Sequence, residues 1–100
     1  MQLARVIGSV VSTRKCDRLE GMKLLVAVPI DMDTFQEKGS PFVTVDTVGA
    51  GEGEIVMWCG GSSSRATEMT TGKPVDSTII GIVDNVDILG KRVFTKGDQA

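Results

Sequence analysis

The chain has 100 residues, of which 41% are hydrophobic and 24% are charged, and its formal net charge is −2 at pH 7. A chain of this length forms one domain with a modest core. Its interspersed acidic and basic residues exclude the basic field that attracts nucleic acid or anionic lipid. No apolar run approaches the length of a membrane span, and the N-terminal MQLARVIGSVV lacks the features of a signal peptide, so we expect it to form a strand.

The residue inventory limits the chemistry that the chain can perform. It contains no histidine and no tyrosine, which removes the commonest general base and the Ser-His-Asp and Cys-His arrangements. Cys16 and Cys59 form no CxxC motif, so the sequence predicts no zinc site. Free thiols are favoured, although the sequence leaves a disulfide between them open. We therefore expect no catalytic residue, no metal and no cofactor.

The apolar segments are short, rich in β-branched residues and separated by polar turns. In chain order they predict strands over 2–12, 23–30, 41–48, 54–59 and 77–89. The last strand is expected to bend or bulge at Gly81. Before it, Ser62 or Ser63 is expected to cap a short helix over 65–69.

These elements predict a mainly β fold, a small five-stranded OB-like barrel with one short helix. The segments KLLVAVPI and STIIGIV carry apolar residues on both faces. One face can fill the barrel and the other requires a partner, which in so small a domain predicts a neighbouring subunit in an oligomer. We expect the barrel domain to cover 1–89, and the tail 90–100 to add at most a short strand over 92–95.

Three alternating glycines in VGAGEG raise the question of a phosphate-binding loop. A dinucleotide fingerprint requires GxGxxG and then a helix whose N-terminus meets the pyrophosphate. Here GxGxG is followed by the strand-like IVMWC. The spacing therefore favours a tight connection between strands, in which the glycines permit positive φ angles or the close approach of another backbone.

A second cluster, GSSSR at 61–65, places serines beside an arginine. A serine nucleophile needs an activating base, and with no histidine present a turn or a helix cap is favoured. An OB barrel that binds single-stranded nucleic acid needs aromatic stacking platforms in a basic groove. This chain is acidic and has only 4% aromatic residues, which counts against such binding. A nucleic-acid-binding OB module is therefore kept only as the alternative function.

Three blocks of the sequence resemble a known family. They are ARVIGSVVSTRKCDRLEGMKLLVAVPID, VDTVGAGEGEIVMWCGGSSSRA and PVDSTIIGIVDNVDI, and together they cover about residues 1–88. The motifs IGxVVxTxK, LxGxKLL, DxVGAGxGE and GSSxR occur in one order and spacing, so the resemblance is specific. The family is EutN/CcmL, the vertex proteins of bacterial microcompartments.

The resemblance implies an OB-like barrel that forms a cyclic pentamer and caps the vertices of a polyhedral shell in the bacterial cytoplasm, beside hexagonal shell proteins. It implies no enzymatic activity and no nucleic-acid or membrane partner. It also implies that the two clusters lie near subunit contacts or the central axis. Their candidate residues are Gly49, Ala50, Gly51, Gly53, Gly61, Ser62, Ser63 and Arg65.

Overall fold

The computed structural model describes residues 1–13 and 15–97. Its strands are β1 (Gln2–Val10), β2 (Lys23–Pro29), β3 (Phe42–Asp46), β4 (Ile55–Gly60), β5 (Ser77–Ile82), β6 (Asn85–Ile88) and β7 (Lys91–Thr95). Two 3-10 helices lie in the connections, over Asp17–Leu19 and Gly61–Arg65. The part of the tail at 98–100 lies outside the described residues. Within the described chain, no helix is long and apolar enough to cross a membrane.

The first five strands close into a barrel in the order β1-β2-β3-β5-β4. Neighbouring strands are antiparallel except β3 and β5, which are parallel. The barrel interior is filled by small and branched side chains, namely Ala4, Val6, Leu25, Ala27, Ala50, Val56 and Ile79. The predicted five-stranded OB-like barrel is therefore confirmed.

The segment 77–89, predicted as one strand, is two strands in different sheets. β5 stays in the barrel, and β6 begins a hairpin with β7 after a break at Val83 and Asp84. The sequence does carry a sign of the break, because the consecutive polar residues Asp84 and Asn85 interrupt the alternation of the strand. Backbone bonds to separate elements redirect the chain there: the Val83 N–H donates to the Ile55 carbonyl, and the Asp84 carbonyl accepts from Lys96. The register shift of β5 against β4 lies beside Gly81, as predicted.

A second apolar cluster lies between the outside of the barrel and the β6–β7 hairpin. Its buried members are Ile30, Phe35, Ile55, Val83 and Phe94. Two of them, Phe35 and Phe94, stack with ring centroids 5.2 Å apart and an interplanar angle of 5°. Part of the outer apolar face, which the sequence predicted would need a partner, is thus covered within the chain.

The predicted helix over 65–69 is wrong in place and in type. A 3-10 helix covers Gly61–Arg65, and its N-cap is Gly60, which makes no side-chain cap bond, so neither Ser62 nor Ser63 caps it. The residues that follow form turns because threonine side chains compete for the backbone. The Thr70 N–H donates to Thr67 Oγ1 at 3.1 Å, and the two hydroxyls lie 2.6 Å apart.

Candidate functional site

The glycine-rich connection, residues 48–53, is organised at its start by Asp46, the last residue of β3. Its Oδ1 accepts the N–H groups of Val48 at 3.0 Å and Gly49 at 3.1 Å, and its Oδ2 accepts that of Ala50 at 2.9 Å. The Asp46 side chain is 1% exposed, and Lys23 Nζ lies 3.5 Å from Oδ2. Lys23 also donates to the Ala50 carbonyl at 2.9 Å. One buried carboxylate therefore folds half of the connection.

Glu54 holds the second half. Its Oε1 accepts the Gly51 N–H at 2.6 Å, and its Oε2 lies 2.8 Å from Lys96 Nζ at the end of the β6–β7 hairpin. The hydrogen bond from Lys96, then that from Gly51, lowers the pKa of Glu54. The same bond to Glu54 raises the pKa of Lys96. The hairpin is thereby fastened to the glycine-rich connection.

Two of the three alternating glycines adopt left-handed backbone angles. The φ angle is 80° at Gly49 and 87° at Gly53, a region that glycine enters without the steric cost of a Cβ atom. Gly51 does not have a positive φ, and a Cβ atom there would lie 3.6 Å from Glu54 Oε1, an ordinary contact. The predicted positive φ angles therefore apply to Gly49 and Gly53.

The connection is not arranged to bind a phosphate. Such a site needs free backbone N–H groups and usually a helix N-terminus. Here the N–H groups of 48–51 are bonded to the carboxylates of Asp46 and Glu54, and strand β4 follows at Ile55.

The candidate residues of this connection differ in exposure. Gly49 and Gly53 are exposed, Gly51 is half-buried, and Ala50 is 1% exposed with its side chain in the barrel core. Sequence reasoning missed the two acids that hold them. An aspartate at a strand end followed by a glycine three residues later is a signal for a turn closed by its side chain, and it is present here.

The second cluster, GSSSR, is held by side-chain donors, the neutral hydroxyl of Ser64 and the charged guanidinium of Arg65. Ser64 is fully buried, and its hydroxyl donates to the carbonyls of Gly61 at 2.5 Å and Val75 at 3.2 Å. Arg65 Nη1 donates to the same Val75 carbonyl at 2.8 Å. These bonds dock the 3-10 helix against the segment that leads into β5. Gly61, with a φ of 64°, and the side chains of Ser62, Ser63 and Arg65 are exposed.

The structure does not bring the two clusters together. The glycine-rich connection precedes β4 and GSSSR follows it. A strand of this length separates its two ends by about 17–20 Å. The candidate residues thus form two separate surfaces at the two ends of the barrel.

No other constellation in the described part of the chain points to chemistry. Residues 1–13 and 15–97 contain no group of three or more His, Cys, Asp or Glu side chains that could hold a metal. Cys16 is exposed, Cys59 is half-buried, and both are free thiols.

Comparison with known proteins shows which family has this fold and these sequence motifs. The family model described as "Ethanolamine utilisation protein EutN/carboxysome" matches residues 1–84. The chain belongs to the EutN/CcmL family. The resemblance drawn from the three sequence blocks is confirmed.

Members of the EutN/CcmL family match nearly the whole chain. The bacterial microcompartment shell vertex protein GrpN of Rhodospirillum rubrum is 46% identical, over 87% of this chain and 97% of the relative. The solved structure of CcmL from Gloeobacter violaceus has a TM-score of 0.92 at 37% identity, covering 98% of this chain and 100% of that one. The structure of GrpN, described as a pentameric microcompartment shell protein, has a TM-score of 0.80 at 45% identity, covering 89% of this chain and 100% of that one.

Proposed function

We propose that this chain is a structural shell protein that caps the vertices of a bacterial microcompartment as a cyclic pentamer. The observation that carries the proposal is the match to relatives named as shell vertex proteins, including GrpN, whose structure is described as pentameric. A head-to-tail contact closes into a ring when its rotation permits. Hexagons alone tile a plane, and a pentagon supplies the curvature that closes a shell.

The outer surface of the subunit suits assembly. Large apolar side chains are exposed on it, among them Val43, Met69 and Leu89. Contiguous exposed apolar surface marks contact sites on soluble proteins. We place the glycine-rich connection and GSSSR at subunit contacts or near the axis, with Gly49, Gly51, Gly53, Gly61, Ser62, Ser63 and Arg65 at the surface. Ala50 would act from inside, since it anchors the connection to the core.

The partners would be further copies of this chain and hexagonal shell proteins in the bacterial cytoplasm. We propose no enzymatic activity and no cofactor, because the backbone donors that would bind a phosphate are already bonded to Asp46 and Glu54.

The alternative, a nucleic-acid-binding OB module, is less well supported. Nucleic-acid-binding OB barrels stack bases on exposed aromatic rings. Here the aromatic side chains pack against one another. The ring centroids of Phe42 and Trp58 lie 4.4 Å apart, and those of Phe35 and Phe94 lie 5.2 Å apart.

Deleting the gene in its host tests the proposal. If the chain caps vertices, sheets of hexagonal proteins still form without it while closure fails, so electron microscopy shows elongated or open compartments. A plasmid copy of the gene should restore closed polyhedra. Normal closed polyhedra in a deletion strain with no second vertex protein would contradict the role.

A further inference from the structure

Among residues 1–13 and 15–97, two residues other than glycine adopt left-handed backbone angles, and only one of these two is stabilised within the subunit. Phe35 has a φ of 56° and Leu89 a φ of 53°. Phe35 is buried, stacks on Phe94, and its carbonyl accepts a hydrogen bond from Arg5 Nη2 at 3.1 Å. Leu89 is 97% exposed. A bulky residue in this region is strained, and such strain persists where other contacts outweigh it.

Leu89 lies at the tip of the β6–β7 hairpin. Ile88 pairs with Lys91, so Leu89 and Gly90 are the two residues of the turn, with φ angles of 53° and 78°. Two consecutive positive φ angles define the turn in which Asn-Gly is strongly preferred. A leucine in place of asparagine there is unfavourable for the isolated subunit. Its exposed apolar side chain therefore points to a contact outside the chain.

A cleft of suitable size lies on another side of the barrel. It has a volume of about 180 Å³, and its apolar lining is Leu19, Leu24, Val43, Val45, Pro74 and Val75. Small-molecule sites are usually about 300–1,000 Å³, so this cleft fits a side chain better than a ligand. Thr44 and Ser77 also line it. Their buried hydroxyls have no hydrogen-bond partner among the described residues.

The hairpin tip offers the apolar side chain of Leu89 to this largely apolar cleft. Charge favours the same pairing, because Lys91 lies beside the tip and Asp76 lines the cleft. A larger cleft of about 510 Å³, lined by Met1, Met32 and Met57 among others, carries Lys38 instead, which would repel Lys91.

The hairpin tip and this cleft are separate surfaces of one subunit, since Leu89 is 97% exposed and does not occupy the cleft of its own chain. The hairpin packs on the outside of the barrel near Leu3 of β1 and Met57 of β4. The cleft lies at β3, which pairs with β2 and β5 and with neither β1 nor β4. One chain's tip therefore cannot fill its own cleft, and a second copy must supply it. Such a contact is head-to-tail, the kind that closes rings.

We propose that Leu89 at the hairpin tip inserts into the Val43 cleft of a second copy of this chain, with Lys91 facing Asp76. The proposal rests on the proposed ring of identical subunits and specifies one of its contacts.

The variant Leu89→Asn separates assembly from folding. It creates the Asn-Gly pair that this turn prefers, so far-UV circular dichroism should show a subunit folded like wild type. Loss of a buried leucine should weaken each contact by about tenfold or more, so sedimentation at micromolar concentration should show smaller species. The matched control is Val11→Asn, since Val11 is 90% exposed but lies in neither partner surface, and it should assemble normally. Full assembly of Leu89→Asn would overturn the proposal.

Cysteine cross-linking tests which residues meet in the contact between two copies. In a background of Cys16→Ser and Cys59→Ala, the pair Leu89→Cys with Val43→Cys should give, on oxidation, a ladder of covalent oligomers up to the ring. The pair Leu89→Cys with Met32→Cys, which tests the larger cleft, should not. A ring without a Leu89–Val43 ladder, or with a Leu89–Met32 ladder, overturns this proposal and leaves the pentamer intact. A monomeric wild type in native mass spectrometry overturns both.

Discussion

The two ends of β4 carry short clusters of small residues that are held in opposite ways. At one end, the carboxylates of Asp46 and Glu54 accept four backbone N–H groups of the glycine-rich connection. At the other, Ser64 and Arg65 donate to backbone carbonyls. Glycine permits the shape of the connection, but charged acceptors stabilise it. The two surfaces should therefore differ in their sensitivity to mutation and to pH.

The largest effect is expected from Asp46→Ala. It removes the acceptor of three N–H groups and leaves the nearby Lys23 without its carboxylate. We expect the free energy of unfolding to fall by about 2–4 kcal/mol, because three backbone N–H groups lose a charged acceptor. Urea denaturation measures it, with the exposed Asp33→Ala as the control. Equal urea midpoints for Asp46→Ala and Asp33→Ala would contradict the stabilising role of Asp46.

The second-largest loss of stability is expected from Gly53→Ala. Alanine at a φ of 87° is strained, so we expect a loss of about 1–2 kcal/mol in the same denaturation experiment. Gly51→Ala is the matched control, because Gly51 has no positive φ and room for a Cβ atom, and it should change stability by less than about 0.5 kcal/mol. Equal losses at both positions would show that the left-handed angle is not what selects glycine here.

Ser64→Ala tests the other end of β4 and should cost about 1 kcal/mol, the usual net value of a hydrogen bond. The loss is small because Val75, one of the two acceptors, keeps its bond from Arg65. Thermal denaturation compares it with Ser62→Ala, which is exposed and should be neutral. A loss as large as that of Asp46→Ala would erase the contrast between the two ends.

The smallest expected effect is on how the stability of the fold depends on pH. The pKa of Glu54 is lowered in the folded state, chiefly by the hydrogen bond from Lys96. Its stabilisation is therefore fully present above the unfolded value of about 4.3 and is lost as the pH falls through the lowered folded value. Melting temperatures from pH 7 to pH 3 should fall less for Glu54→Gln than for wild type. The exposed Glu52→Gln should follow wild type, and identical profiles for Glu54→Gln and wild type would contradict the assignment.

The barrel could be predicted from the sequence because apolar residues recur in short, β-branched runs that match the period of a strand. The division of 77–89 into β5 and β6 was missed, although the consecutive polar residues Asp84 and Asn85 interrupt the alternation there. The helix predicted over 65–69 failed for a different reason. Hydroxyl bonds within the serine and threonine segment compete with helix formation, and propensity does not describe them.

The candidate site, too, could be predicted only in part from the sequence. The glycines of VGAGEG are visible as a motif, and their role as a connection between strands followed from the absence of a helix after them. The acids that hold the connection were not singled out, because their function depends on which N–H groups the fold brings within reach. Lys96 is the clearest case. It lies in the tail that the sequence left unassigned, and only the hairpin places it beside Glu54.

Native mass spectrometry of the purified chain measures directly how many subunits the ring contains. We expect a dominant species of five chains, each of 10.6 kDa, at micromolar concentration. A stable monomer or dimer would contradict the proposed ring. A hexamer would keep the chain in a shell but contradict its place at a fivefold vertex.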